Sequence, residues 1–105
     1  MRERFKECLA LLESGYQAVW EGYFPQYDAR LEALRREVLL REGAQETAVQ
    51  REKAVGELSG PEILAHLAWI FLSERMSEGF LDAQIRSGEL KKLLRRYLEL
   101  TEVDE

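Results

Sequence analysis

Glu74, Glu78 and Asp82 stand four residues apart in the most apolar stretch of this 105-residue chain. Four-residue steps keep side chains on one face of a helix, so the spacing brings three carboxylates into line. Acids placed this way suit two kinds of chemistry. They can hold Mg²⁺, a hard cation that takes oxygen ligands, and so support hydrolysis of a phosphate substrate. Alternatively, they can form a buried ion-pair network that fixes how helices dock, provided each charge finds a partner, or stand on a solvated rim where the bundle ends. Arg75 lies three residues before Glu78, and Arg86 four after Asp82, both at helical pairing distance. A second helix could add Arg2, Arg4 or a tyrosine hydroxyl. The candidate polar cluster is therefore Glu74, Arg75, Glu78 and Asp82, with no catalytic role assigned to any of them.

The element that must position this cluster runs from about Pro61 to Arg86. Ser59-Gly60-Pro61-Glu62 opens it: Ser59 can cap, Pro61 fits the first turn, and Glu62 completes a capping box. With Leu67 at zero on a wheel of about 100° per residue, Ile63, Leu64, Ile70, Phe71, Leu81 and Ile85 fall within about 60° of it. Glu74 and Glu78 fall in the middle of that face, and Trp69, Leu72, Met76 and Phe80 form a second apolar stripe nearly opposite. A helix apolar on two sides is covered on two sides, which makes this one a hub. It either continues through Gly79 or breaks near Ser77.

The flanking elements are also helical. Phe5, Cys8, Leu9, Leu12, Tyr16, Val19 and Trp20 predict a first helix over about 2–20, interrupted by Gly15. Glu21 to Tyr27 reads as an aromatic turn that folds back onto the core, since Gly22 and Pro25 punctuate it. A second helix then runs to about Glu42, with Asp28 as N-cap or Pro25 as first residue, and with Tyr27, Leu31, Leu34 and Val38 buried. Residues 43–59 show no strong period, and a short, weak helix at about 45–54 is the expectation there. After Gly88, Leu90, Leu93, Leu94, Tyr97 and Leu98 stripe a last helix. The result is an all-α, single-domain bundle of four or five helices, spanning residues 1–105.

Other chemistry finds little support. His66 is the only histidine and has no second ligand at metal spacing. Cys8 sits on the first apolar stripe as a small hydrophobe, and a lone cysteine cannot form an internal disulfide. Ser59, Ser73, Ser77 and Ser87 lack a base and acid constellation, and no glycine-rich phosphate loop occurs. No cofactor or metal site is expected. Lys91, Lys92, Arg95 and Arg96 form a basic strip, but the chain carries a net charge of −5, which weighs against nucleic acid as a partner. The first residues, Met1-Arg2-Glu3-Arg4-Phe5, lack an apolar signal core, and the run from Ile63 to Leu72 is too short to span a bilayer. No membrane partner and a cytoplasmic location are expected.

Two stretches together resemble a family of small prokaryotic all-helical domains of unknown function. Phe24-Pro25-Gln26-Tyr27 is similar to its Phe-Pro-x-Tyr segment. Trp69, Glu74-Arg75-Met76 and Gly79 follow its Trp, Glu-Arg-Phe and Gly pattern, and Gly88-Glu89-Leu90 to Leu94-Arg95-Arg96 its final helix. Met76 departs from the usual Phe. The resemblance implies no reaction, substrate or cofactor, only that Glu74, Arg75 and Gly79 belong together. The leading functional expectation is a non-enzymatic interaction and oligomerisation module, self-associating as a homodimer through apolar surface that so short a chain leaves uncovered. The competing expectation is a metal-dependent hydrolase of a nucleotide-type substrate. Its all-helical counterparts pair acids at three-residue spacing, which the four-residue steps here do not match.

Overall fold

Leu-, Glu- and Arg-rich stretches with three- and four-residue apolar spacing fold as helices here, and glycine sits at several of their ends. The structure is a computed structural model that describes residues 2–42 and 54–101. Five helices are described: α1 (Arg2–Glu13), α2 (Ala29–Glu42), α3 (Gly60–Met76), α4 (Phe80–Ser87) and α5 (Glu89–Thr101). A hairpin of β1 (Val19–Glu21) and β2 (Phe24–Gln26) lies between α1 and α2, and a short 3₁₀ turn (Val55–Glu57) precedes α3. The protein is an all-α bundle with one small sheet.

The main helix contacts close a ring, α1 to α2, α2 to α3, α3 to α5 and α5 back to α1, with α4 wedged against α3 and α5. The hub expected from the wheel is thus one wall of a four-helix ring. Inside it lie Phe5, Leu31, Leu34, Ile63, Leu67, Ile70, Phe71, Leu81, Leu90, Leu93 and Leu94, all fully buried. Burying side chains of this size is worth roughly 1.5–3 kcal/mol each before the cost of ordering them, so this cluster dominates the stability. Phe5 stacks on Tyr97 with ring centroids 4.2 Å apart, joining α1 to α5. Arg4 pairs with Glu37 at 3.3 Å and the Cys8 thiol donates to the Arg30 carbonyl at 3.2 Å, joining α1 to α2.

Three expectations are corrected and one open alternative is decided. The first helix ends at Glu13 and not near Trp20, because Gly15 adopts φ +88° and turns the chain out of helical geometry. Val19 and Trp20, assigned to its stripe, are exposed strand residues. The aromatic turn is instead a hairpin with Val19 opposite Gln26, Trp20 opposite Pro25 and Glu21 opposite Phe24. Its two-residue loop starts on Gly22 at φ +62°, where a primed turn needs glycine. Pro25 therefore lies in β2, while Asp28 caps α2 by accepting from the Arg30 amide at 2.8 Å. The stretch at 61–86 is two helices: α3 stops at Met76 and α4 starts at Phe80, with Gly79 at φ +92° between them. Finally, Met76, placed on a second buried stripe, is 89% exposed, while Trp69, Leu72 and Phe80 are half-buried.

The capping box at α3 forms as expected, with Ser59 accepting from the Glu62 amide and Glu62 from the Ser59 amide. Most of the segment expected to hold a weak helix at 45–54 lies outside the described residues.

Candidate functional site

The break after Met76 decides what the acids do. A new helix exposes its first backbone N–H groups, and each must find an acceptor. Gly79 occupies the N-cap of α4 but has no side chain to offer. Glu74, still on α3, supplies the missing acceptor: Oε1 accepts from the Gly79 amide at 3.1 Å and Oε2 from the Leu81 amide at 2.9 Å. The Phe80 amide bonds to the Ser77 carbonyl at 3.1 Å, and the Asp82 amide donates to the Tyr27 hydroxyl at 3.2 Å. With the Ala83 amide on the Gly79 carbonyl at 2.9 Å, the helical ladder begins. Every donor of the first turn is thereby satisfied.

Tyr27 is the link to the hairpin. Its hydroxyl donates to Glu74 Oε1 at 2.8 Å while accepting from Asp82, so one oxygen joins the end of β2, α3 and α4. Burial pushes the Tyr27 phenol well above its ordinary value, and the Glu74 carboxylate that accepts its proton adds to the shift. Glu74 is 6% exposed and Asp82 3%. Among the described residues Glu74 meets three donors and no cation, and its negative charge sits at the positive end of the α4 dipole.

Asp82 is held differently. Its Oδ2 accepts from the Arg86 guanidinium at 2.9 Å, one turn along α4, and from the Trp20 indole N–H at 3.1 Å. The Oδ1 atom is buried without a protein partner. The Trp20 ring also lies on Gly79: a Cβ there would come within 2.7 Å of it. Glycine at this position serves both the left-handed backbone and the indole above it. Nearby, the Tyr16 hydroxyl accepts from the Asp28 amide at 2.7 Å, and burial raises its phenol above the ordinary value. Arg30 donates to the Asp28 carboxylate at 2.9 and 3.1 Å and holds it below the usual carboxylate range.

The structure thus divides the candidate cluster. Glu74 and Asp82 are buried and converge on the start of α4, and Arg86 pairs with Asp82 as its spacing predicts. Glu78 is exposed in the break, not aligned on the buried face, because the helix that would have aligned it ends first. Arg75 is exposed, and no ion pair joins it to Glu74 or Glu78 among the described residues. Its expected role as the neutralising cation goes instead to backbone amides and a tyrosine. Among the described residues no group of three His, Cys, Asp or Glu side chains is placed to hold a metal ion. Sequence reasoning missed Trp20, which was assigned to α1; it offered a tyrosine hydroxyl as a partner of the acids without singling out Tyr27, which was assigned to the apolar face of α2.

Beside these hydrogen-bonded acids, Phe24, Tyr27, Glu32, Arg35, Arg75 and Glu78 line an open cleft of about 360 Å³. On the hairpin above it, Val19, Trp20, Tyr23 and Phe24 are all exposed, Tyr23 to 86% and Phe24 to 57%. The basic strip on α5 is interleaved with acids: Lys92 pairs with Glu89 at 3.5 Å, Arg95 with Glu13 at 3.6 Å and Arg96 with Glu99 at 3.9 Å. No helix among the described residues is long and apolar enough to cross a membrane. Comparison with family models, curated proteins and solved structures gives no match to this chain.

Proposed function

We propose that this chain is a non-enzymatic interaction module that self-associates as a homodimer through the face of its hairpin. The observation that carries this reading is the exposure of four large apolar side chains, Val19, Trp20, Tyr23 and Phe24, on one hairpin held by buried polar bonds. A hairpin with three-residue strands is marginal by itself. Here the Trp20–Asp82 and Tyr27–Glu74 bonds fix it to α3 and α4. Such anchoring lowers the ordering cost of docking, and exposed aromatics are the side chains that most often anchor interfaces. A buried thiol and the absence of disulfides suit a cytoplasmic setting.

Sedimentation velocity from about 1 µM to about 1 mM, the range of weak to moderate self-association, tests the proposal. The wild-type chain is expected to shift from monomer to dimer. The doubly substituted Tyr23→Ser/Phe24→Ser chain is expected to melt at the same temperature and stay monomeric. A wild-type chain monomeric throughout would overturn the reading.

A metal-dependent hydrolase has less to stand on. Both oxygens of Glu74 already accept hydrogen bonds, Asp82 is shared between Arg86 and Trp20, and Glu78 stands apart from both in the exposed break. Thermal melts with Mg²⁺, Mn²⁺ and nucleotides are expected to superimpose on the melt without them.

A further inference from the structure

The cleft beneath the hairpin has a charge pattern that narrows the partner further. Two of its lining residues are basic, Arg35 and Arg75, and two of its exposed or half-exposed ones are acidic, Glu32 and Glu78. Arg35 and Glu32 satisfy each other within α2, at 3.9 Å. Arg75 and Glu78 remain: both exposed, of opposite sign, three residues apart across the end of α3, and not paired with each other. The helix ends at Met76, between the two, so they do not share the helical i,i+3 geometry in which such pairs meet.

Resting on the self-association proposed above, we infer that a second copy docks about a two-fold axis that sets Arg75 of each protomer against Glu78 of the other. In a two-fold contact, residue i meets j and j meets i, so a face with a cation and an anion that have no ion pair among the described residues is complementary to itself. The whole chain carries −5, so most surfaces of two copies repel. The exposed and half-exposed charges at this cleft balance, with only the buried Glu74 in excess, so two copies repel less here than over the rest of the surface. A partner of one predominant charge would find no matching field. Strand addition is a poor way to fill the cleft, because β2, which lines it, contains Pro25 and so lacks a backbone donor there. Docking is therefore through side chains, with Phe24 and the exposed Tyr23 supplying apolar area next to the two ion pairs.

Charge reversal tests this directly. Arg75→Glu sets acid against acid in its own dimer, and Glu78→Arg sets base against base. Both positions are exposed, so the folded monomer is expected to persist, checked by circular dichroism and melting temperature. In sedimentation equilibrium each variant alone is expected to dimerise at least about tenfold more weakly than wild type. An equimolar mixture of the two is expected to recover dimer, because each cross-contact again joins a base to an acid. The double variant Arg75→Glu/Glu78→Arg is expected to recover it alone. Wild-type dimer that both single variants retain, or that neither the mixture nor the double variant recovers, overturns this pairing while leaving hairpin-mediated association standing. A wild-type chain that stays monomeric overturns both.

Discussion

Glu74 caps a helix to which it does not belong. Replacing one of its oxygens with an amide removes an acceptor and turns a donor toward the backbone N–H groups of Gly79 and Leu81. Leaving a buried amide unsatisfied costs about 1–3 kcal/mol, so Glu74→Gln should lower the unfolding free energy by that much, read as a lower urea midpoint at an unchanged slope. Arg75→Ala should change stability by no more than about 0.5 kcal/mol, as exposed side chains without a described ion pair do. The sequence alone left two outcomes open: a loss of a few kcal/mol if Arg75 neutralises the acids inside the core, or a near-neutral change if the acids stand on a wet rim. Spacing alone could place Arg75 near Glu78 on an ideal wheel, but it could not show that backbone amides would arrive first. Tyr27 adds a pH signature. Its phenol is held protonated by burial and by Glu74, above the ordinary value of 10.0. A folded-state value raised above the unfolded one gives stability that is full below about pH 10 and lost as pH rises through the raised value. Tyr27→Phe should remove that alkaline loss, seen by comparing urea midpoints of the two chains from pH 8 to pH 11, and should itself cost about 1–2 kcal/mol at neutral pH.

At the scale of elements, the joint between α3 and α4 and the hairpin form one unit. Gly79→Ala asks a left-handed residue to carry a Cβ that would meet the Trp20 ring at 2.7 Å. The expected cost is about 1–3 kcal/mol, together with a blue-to-red change in Trp20 fluorescence as the indole is lifted off the joint. An unchanged emission maximum with unchanged stability would mean that the ring does not depend on this contact. The helices were legible because their patterns are redundant: Leu90, Leu93, Leu94 and Tyr97 on α5 repeat one message four times, and Ser59 to Glu62 spells out a cap. The hairpin was not. Val19 and Trp20 happen to continue the three- and four-residue rhythm of Phe5, Cys8 and Leu12, and a short apolar run cannot by itself distinguish helix from strand. The available signal was Gly15 as a stop and Gly22 flanked by Trp20, Tyr23 and Phe24 as a tight turn, which is a hairpin pattern. The break at Gly79 was left open for a similar reason, since Leu81 and Ile85 fit the wheel of α3 whether or not the helix is continuous.

Across the whole molecule, the ring of α1, α2, α3 and α5 encloses the large aliphatic and aromatic side chains and leaves one decorated end. Cys8 shows how closed the interior is: burial pushes its thiol up to about 12, so it remains a protonated, unreactive hydrophobe at neutral pH. The buried carboxylates secure the joint between helices, and the exposed aromatic hairpin above them is the face proposed for docking. That division of labour is the central claim, and amide hydrogen exchange at low and high protein concentration tests it most directly. At both concentrations the amides of Gly79, Leu81 and Asp82 should be protected, since their bonds lie within one protomer. On concentration, added protection should appear at residues 19–26 and 75–78, and none at residues 54–57 or 92–99 on α5. Exchange that is the same at both concentrations, or protection gained on α5 in place of the hairpin, would contradict the account.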